Sequence, residues 1–195
     1  MVSLTELKDI DDTSAIYLEN LDEMLDQSAI YDKVLFEFLG KTYPAIILTP
    51  TCDIVTKKAN YLTVAQIIPA RWVYVKICMS RGLTDDQIAG VAQTEPNVQK
   101  SIKKDFVEHY MENRTYRYHY LPKRDKVFED SFIDFQAVKT LYPKVLQEHK
   151  KIAALKSPWR EAVPARYAAY CLRIGTPNYS KRLLDYCFAE ITSKA

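Results

Sequence analysis

The sequence predicts a single α+β domain in which a small antiparallel β-barrel or curled sheet carries inserted helices and a helical C-terminal third. Three observations lead to this class. Three short apolar segments in the N-terminal half are joined by tight turns. A strictly alternating segment at 115–122 precedes an apolar segment at 131–138, and helical spacing dominates the rest. We therefore assign 29–75 and 115–138 to the β core and 139–195 to a helical extension.

The composition argues against several classes of function. The chain has 27 basic and 25 acidic side chains, a balance that does not by itself indicate a nucleic-acid-binding protein. It contains four glycines and neither GxGxxG nor a P-loop motif, so no phosphate-cradling loop is predicted. Four cysteines without a CxxC pair, and a first segment without a secretory apolar core, predict a reduced, cytoplasmic protein. Because every apolar run is shorter than the roughly 20 residues that span a bilayer, we expect no membrane partner.

The N-terminal elements follow from the spacing of apolar residues. Residues 12–28 have helical spacing with an acidic outer face, which predicts a helix. Alternation over 31–39 predicts a strand, and the apolar run 43–49 predicts a buried second strand that Pro50 ends. Residues 61–70 predict a third strand.

The middle of the chain is predicted to be helical and then extended. The sequence TDDQ at 84–87 is a capping box, and 97–113 has the spacing of a longer helix. The alternating segment 115–122 predicts a strand that forms a hairpin with 131–138 through the turn KRDK.

The C-terminal third is predicted to be helical. A helix is expected to begin near Pro143 and run to about 155. Pro164 should end the short turn that begins at Ser157-Pro158 and start another helix, which ends near 175. Residues 178–191 should form a terminal amphipathic helix. Arg166, which shares a helical face with Arg173, lies either on a phosphate-binding or acidic-partner stripe or on the solvated face of a core helix.

A polar cluster ends the second predicted strand: Thr49, Thr51, Cys52 and Asp53. One interpretation is structural, because threonine and aspartate side chains close turns by bonding nearby backbone. The other is a reactive site, since strand ends often carry functional side chains. A nucleophilic Cys52 would need a cation such as a protonated histidine to lower the pKa of its thiol.

A second cluster lies on the predicted strand 115–122. Alternation places Tyr116 and Tyr118 on one side and Arg117 and His119 on the other. Aromatic rings that stack on bases, beside cations that contact phosphates, are typical of single-stranded nucleic-acid binding. The alternative is that the tyrosines cover the core and the basic turn is solvated. The cysteines and histidines are too scattered for four converging ligands, so no metal site is predicted.

Two segments of the N-terminal half, GKTYPAIILTP and YLTVAQIIPA, together resemble the core of the MazF/PemK-like toxin family. The segment GKTYPAIILTP has Pro44 after a turn and a strand that ends at Thr49, and YLTVAQIIPA carries Pro69 near its end. Members of that family are SH3-like barrels that cut RNA, so the resemblance implies an SH3-like barrel and ribonuclease chemistry. Tyr43 stands where the family has its catalytic arginine, and Ala70 where a threonine or serine follows the proline.

The whole chain also resembles uncharacterised bacterial proteins with a Thr-Cys-Asp-Ile motif at a strand end, here 51–54. Such proteins occur with mobile elements and defence genes. This resemblance implies a role in bacterial defence, without a mechanism.

These expectations combine into one leading hypothesis, a bacterial defence or toxin–antitoxin protein that binds or cleaves nucleic acid, with RNA favoured. Cleavage would use no metal or cofactor, with Thr49 or Asp53 orienting the attacking 2′-hydroxyl. His119 would move protons, and Arg117 or Lys41 would stabilise the developing charge. The residues predicted to bind the strand are Lys41, Tyr116, Tyr118, Lys123 and Arg124.

Two other hypotheses belong to different classes. The first is a non-catalytic adaptor whose helical third docks a larger effector or ATPase, because tyrosine and arginine are favoured at interface hot spots. The second is a thiol enzyme that uses Cys52.

Overall fold

The structure is a computed structural model that describes residues 15–22, 24–89 and 96–172. Its centre is a six-stranded antiparallel sheet, curled into a half-barrel, with strand order β4-β5-β3-β2-β1-β6. The α+β class is therefore confirmed. The strands are β1 (Ala29–Phe36), β2 (Lys41–Ile47), β3 (Leu62–Pro69), β4 (Tyr118–Leu121), β5 (Ser131–Leu141) and β6 (Lys151–Ala154).

Helices cover both faces of the sheet. On one face, Val163, Trp159 and Tyr167 of α6 pack into an apolar cluster with alternate residues of all the strands. On the other face, Val73 and Ile77 of α2 pack against the β4–β5 hairpin. The helices are α1 (Thr51–Val55), α2 (Ala70–Ser80), α3 (Asp85–Ala89), α4 (Pro96–Asp105), α5 (Pro143–Gln147) and α6 (Trp159–Cys171). A π-helical segment, Phe106–Met111, continues α4.

Several local predictions are confirmed. The three apolar segments of the N-terminal half form β1, β2 and β3, which pair consecutively and antiparallel. The β4–β5 hairpin forms as predicted, with Tyr118 opposite Asp134. The capping box also forms, because the Thr84 amide donates to Gln87 Oε1 at 2.9 Å and the Gln87 amide donates to Thr84 Oγ1 at 3.4 Å.

The predicted helix over 12–28 is wrong for its described part, which contains no α-helix. Ile16 and Tyr17 are buried against the sheet, and Tyr17 forms an isolated antiparallel bridge with Leu155. The amide of Leu18 also donates to the carbonyl of Ala154 at 2.9 Å. These long-range contacts outweigh the weak helical preference of the segment. Residues 12–14, the predicted cap, lie outside the described residues.

The predicted helical extension over 139–195 is wrong at its beginning. β5 runs on to Leu141, α5 ends at Gln147, and β6 pairs with β1 through Ala29 opposite Ala154. Ala153 and Ala154 of β6 are small and buried, and the pairing with β1 decides the conformation of this segment. The predicted terminal helix 178–191 and the stripe residue Arg173 lie outside the described residues.

The predicted interruption at Pro164 is wrong, because α6 continues through this residue. A proline has no N–H, so the Arg160 carbonyl one turn earlier loses its helical partner. Two side chains from the turn before β1 replace it. The Ser28 hydroxyl donates to this carbonyl at 2.8 Å and the Gln27 amide donates at 3.3 Å.

We expect Ser28→Ala to lower the free energy of unfolding by about 1–2 kcal/mol, because the partly buried Arg160 carbonyl loses its shorter bond. Pro164→Ala restores a backbone donor for the same carbonyl. Ser28→Ala should therefore cost clearly less in the Pro164→Ala background, as measured by urea denaturation of all four proteins. An equal cost in both backgrounds would contradict this account of α6.

Candidate functional site

The polar cluster at the end of β2 is used within the fold. Thr49 Oγ1 accepts a hydrogen bond from the Thr63 amide at 2.8 Å, which closes the β2–β3 connection. The Thr51 hydroxyl donates to the Asp26 carboxylate, and its amide donates to Gln27 Oε1 at 3.4 Å. These bonds attach the first turn of α1 to the turn that precedes β1.

Cys52 and Asp53 lie side by side on α1. Cys52 is exposed, and its sulfur lies 3.6 Å from Asp53 Oδ1. The side-chain partner of this thiol is thus a carboxylate and not one of the cations that activate a cysteine nucleophile.

The predicted catalytic residues do not meet. His119 on β4 is opposite Ile133 of β5, which is opposite Ile67 of β3. Thr49 instead contacts Thr63, four residues before Ile67 on the same strand. At about 3.3 Å per residue and about 4.8 Å for each of the three strand spacings from β4 to the end of β2, this separates Thr49 and His119 by about 20 Å along the sheet.

Arg117 and His119 also diverge from each other, which corrects the prediction that they share one side of the strand. His119 and Leu121 face the sheet surface that α6 covers. Arg117 precedes β4 and turns towards the other surface, where Asp134 and Tyr118 lie. The charge of Asp134 determines this direction.

Arg117 and Asp134 form a two-point ion pair. Arg117 Nε lies 2.9 Å from Asp134 Oδ1, and Nη2 lies 2.5 Å from Oδ2. The Gln136 amide donates to the same carboxylate at 3.0 Å, and Asp134 is only 4% exposed. Hydrogen bonding to Asp134 raises the pKa of Arg117, so the guanidinium stays charged. Sequence analysis missed Asp134, although an acid inside the apolar segment SFIDFQAV was a signal for a buried pair.

His119 is a neutral core residue. Burial, with a smaller contribution from the positive charge of Arg166, lowers the pKa of His119 to about 3. The imidazole is therefore uncharged near neutral pH and poorly suited to donate a proton in catalysis. Its Nδ1 atom is buried and has no hydrogen-bond partner among the residues that the structure describes.

The other predicted binding residues fall in different places. The guanidinium of Arg124 donates to the carbonyls of Ile152 and Leu18, both at 3.0 Å, so it anchors its loop to the sheet. Lys123 is exposed and lies 3.3 Å from Asp125. Lys41 is exposed at the beginning of β2, and Tyr116 is about half exposed.

The side chain of Arg166 does not point outward, as the interpretation of a phosphate-binding or acidic-partner stripe predicted. Its Nη2 atom donates inward to the carbonyls of Thr115 and Tyr118, at 2.8 and 3.3 Å. α6 is thereby joined to the beginning of β4.

The residues that do converge form a groove between α2, the π-helical segment and the beginning of β4. We call it the α2 groove. Its volume is about 330 Å³. It is lined by Val73, Lys76, Ile77, Ser80, Tyr110, Thr115, Arg117 and Tyr118.

Aromatic packing builds the floor of the α2 groove. The Tyr118 ring lies 5.8 Å from Phe132 and 6.0 Å from Tyr110, centre to centre. Tyr110 belongs to the π-helical segment, which Phe106 anchors on Phe132 at 5.9 Å. Such widened turns occur often at functional sites. No sequence signal distinguished this turn from an ordinary helix.

The chemistry of the α2 groove is cationic and aromatic. Lys76 is exposed at its rim, and Arg117 lies with its Cζ 4.8 Å from the centre of the Tyr118 ring. One helical turn before Lys76, Trp72 is 46% exposed and makes an edge contact with Tyr43 at 6.0 Å. This surface suits an anion that also carries flat rings.

The comparisons with known proteins add no family. No protein-family model matches the chain, and no curated protein matches it. Within the described residues, no group of three His, Cys, Asp or Glu side chains could hold a metal ion. The described part of the chain also contains no helix with the length and apolar character required to cross a bilayer.

Proposed function

We propose that the protein binds single-stranded nucleic acid, with RNA favoured, in the α2 groove. The observation that carries this proposal is the convergence of Lys76 and Arg117 with Tyr110 and Tyr118 in one groove. The two cations contact phosphates, and Trp72 and Tyr110 supply rings on which bases stack. Tyr118, which the sequence predicted to bind the strand, and Arg117, which it predicted to be catalytic, both line this groove.

The geometry favours binding over cleavage. His119 is buried and neutral on the opposite side of β4, and Thr49 and Asp53 are distant from it. The groove therefore has no proton-transferring pair of the kind that the sequence predicted. The preference for RNA, the cytoplasmic location, the bacterial defence setting and the SH3-like barrel rest on the sequence and its resemblances, and they stay predictions.

We expect Lys76→Glu to weaken binding of single-stranded RNA by about tenfold, because a carboxylate would face the phosphates. Fluorescence anisotropy with a labelled RNA of about 12 nucleotides, within the usual range of site sizes, measures this at low salt. Binding by the wild-type protein should also weaken steeply as salt increases.

The matched control is Lys58→Glu, which makes the same change of charge on the exposed loop before β3. It should change affinity little, because the loop is outside the α2 groove. Equal losses in the two variants, or no retention of RNA by the wild-type protein at low salt, would contradict the proposal.

One observation favours the adaptor as a second candidate. Leu35, Phe38 and Leu39 are large apolar residues that are 45%, 61% and 42% exposed around the β1–β2 turn. Exposed apolar residues in a contiguous segment are typical of protein interfaces. Co-purification of the products of the native operon distinguishes the two functions, since an adaptor retains a protein partner when RNA has been digested.

A further inference from the structure

A second cavity lies on the opposite face of β4 from the α2 groove. We call it the Trp159 cavity. Its volume is about 200 Å³, and it lies between β4, the Tyr17–Leu155 bridge and the beginning of α6. Its walls include Ile16, Asn113, His119, Leu121, Leu155 and Trp159.

The walls of the Trp159 cavity are mostly apolar and uncharged. All eight of its lining residues lack a formal charge once His119 is neutral. Ligand sites of this kind place a few polar groups in an apolar pocket, and those groups orient the ligand. An engineered apolar cavity of about 150 Å³ is large enough to bind benzene. The volume and walls therefore suit a small, flat, neutral molecule.

His119 is the first polar group of the cavity. It is 6% exposed, and its Nδ1 atom has no hydrogen-bond partner within the described residues. A neutral imidazole presents one donor and one acceptor nitrogen. Unpartnered buried polar groups are rare in folded proteins, and this one leaves the imidazole with unused hydrogen-bonding capacity beside the cavity.

Asn113 is the second polar group. Its Oδ1 accepts a hydrogen bond from the Tyr120 amide at 2.7 Å. Since that amide can only donate, the bond fixes which end of the side chain is the oxygen. The amide nitrogen of Asn113 therefore keeps its two hydrogens for another acceptor.

We propose that the Trp159 cavity binds a free nucleobase, a neutral heteroaromatic ring that packs against Trp159 with its polar edge towards Asn113 and His119. A base offers acceptors for the Asn113 amide and a donor or acceptor for the imidazole. The ring face contacts Trp159 as aromatic ligands do. This site is separate from the α2 groove and goes beyond the proposed RNA binding.

The two tryptophans allow binding at the Trp159 cavity and at the α2 groove to be compared in the same sample. Trp72 lies beside the α2 groove and Trp159 lines the cavity, so ¹H–¹⁵N spectra report both through their indole signals. Adenine, neutral at pH 7, is the probe. It should shift the Trp159 indole signal to saturation and leave the Trp72 signal unchanged. The Trp72→Phe variant assigns the two signals.

Two variants test the polar contacts. His119→Phe removes the imidazole and fills part of the cavity, and it should weaken adenine binding at least tenfold. Asn113→Gly keeps the positive φ of 59° that this position adopts, and it should weaken binding about fivefold, the effect of one hydrogen bond. Circular dichroism identifies any variant that does not fold. If one of the two does not fold, adenine binding by the other variant tests the proposal.

Three results would overturn the proposal. They are an unchanged Trp159 signal at the solubility limit of adenine, equal shifts of both indoles, or undiminished binding in a folded variant. Single-stranded RNA is the second ligand to be added in the same experiment. It should shift Trp72 alone, and RNA that shifts Trp159 would assign the cavity to a base within a strand. Failure of RNA to shift Trp72 would count against the α2 groove and leave the adenine result unaffected.

Discussion

Replacing Arg117 with methionine is expected to lower the free energy of unfolding by about 2–4 kcal/mol. The variant keeps the apolar stem of the side chain but leaves the Asp134 carboxylate, 4% exposed, with the Gln136 amide as its remaining partner. An uncompensated buried charge is among the most costly changes a core can receive. The one-third exposure of Arg117 sets the expected cost below that of a fully buried pair. Urea denaturation at pH 7 measures it.

Two controls separate the charge from the loss of packing. In the double variant Arg117→Met, Asp134→Asn the buried charge is gone, so we expect the protein to be more stable than with Arg117→Met alone. Arg114→Met removes an exposed pair with Glu112 and should cost less than about 1 kcal/mol. Additive losses in the double variant would show that the pair does not act as described.

Acidification is expected to destabilise the protein through His119. Its pKa is about 3 in the folded chain and about 6.5 when unfolded, so the unfolded state takes up the proton first. Stability is therefore unaffected by this residue above about pH 6.5 and falls as the pH falls from there towards 3. At pH 4.5, two units below the unfolded pKa, we expect a loss of roughly 2–3 kcal/mol.

The comparison with His119→Gln isolates this effect. Glutamine is neutral at both pH values, so the variant should lose less stability than the wild-type protein between pH 7 and pH 4.5. Carboxylates that contribute to acid sensitivity are common to both proteins and cancel. The exposed His109→Gln variant should behave like the wild type. Identical losses in all three proteins would mean that protons reach His119 in the folded state.

The local signals in the sequence predicted much of the sheet. Alternation and proline boundaries identified β1, β2 and β3, and the tyrosine-rich segment with its following partner identified the β4–β5 hairpin. The structure also contains the capping box that was predicted at Thr84. Each of these features depends on residues that are close in the chain, and their geometry follows from spacing alone.

The failures arise where distant segments decide the structure. β6 is extended because it pairs with β1, about 120 residues earlier in the chain, and its four residues carry no signal of that partner. Tyr17 is extended because it bridges to Leu155. Pro164 stays within α6 because Ser28 replaces the missing donor. None of these partners can be identified from local periodicity.

The same reason explains the outcome for the site. The pattern placed Arg117 and His119 on one side of a strand, but Asp134 draws Arg117 to the other side. Trp159 and Leu155 enclose His119 from a part of the chain that was predicted to be a separate helical extension. Tyr118 keeps the position that alternation gave it. The chemistry of each side chain could therefore be predicted from the sequence, whereas its neighbours in the folded chain could not.

β4 lies at the end of the sheet, and two of its backbone groups already have side-chain partners. The Tyr120 amide is taken by the side chain of Asn113, and the Tyr118 carbonyl accepts from Arg166. An exposed strand with unsatisfied groups is a template on which another chain can add a strand. Asn113 and Arg166 occupy one donor and one acceptor that an added strand would need, and this disfavours strand addition at β4.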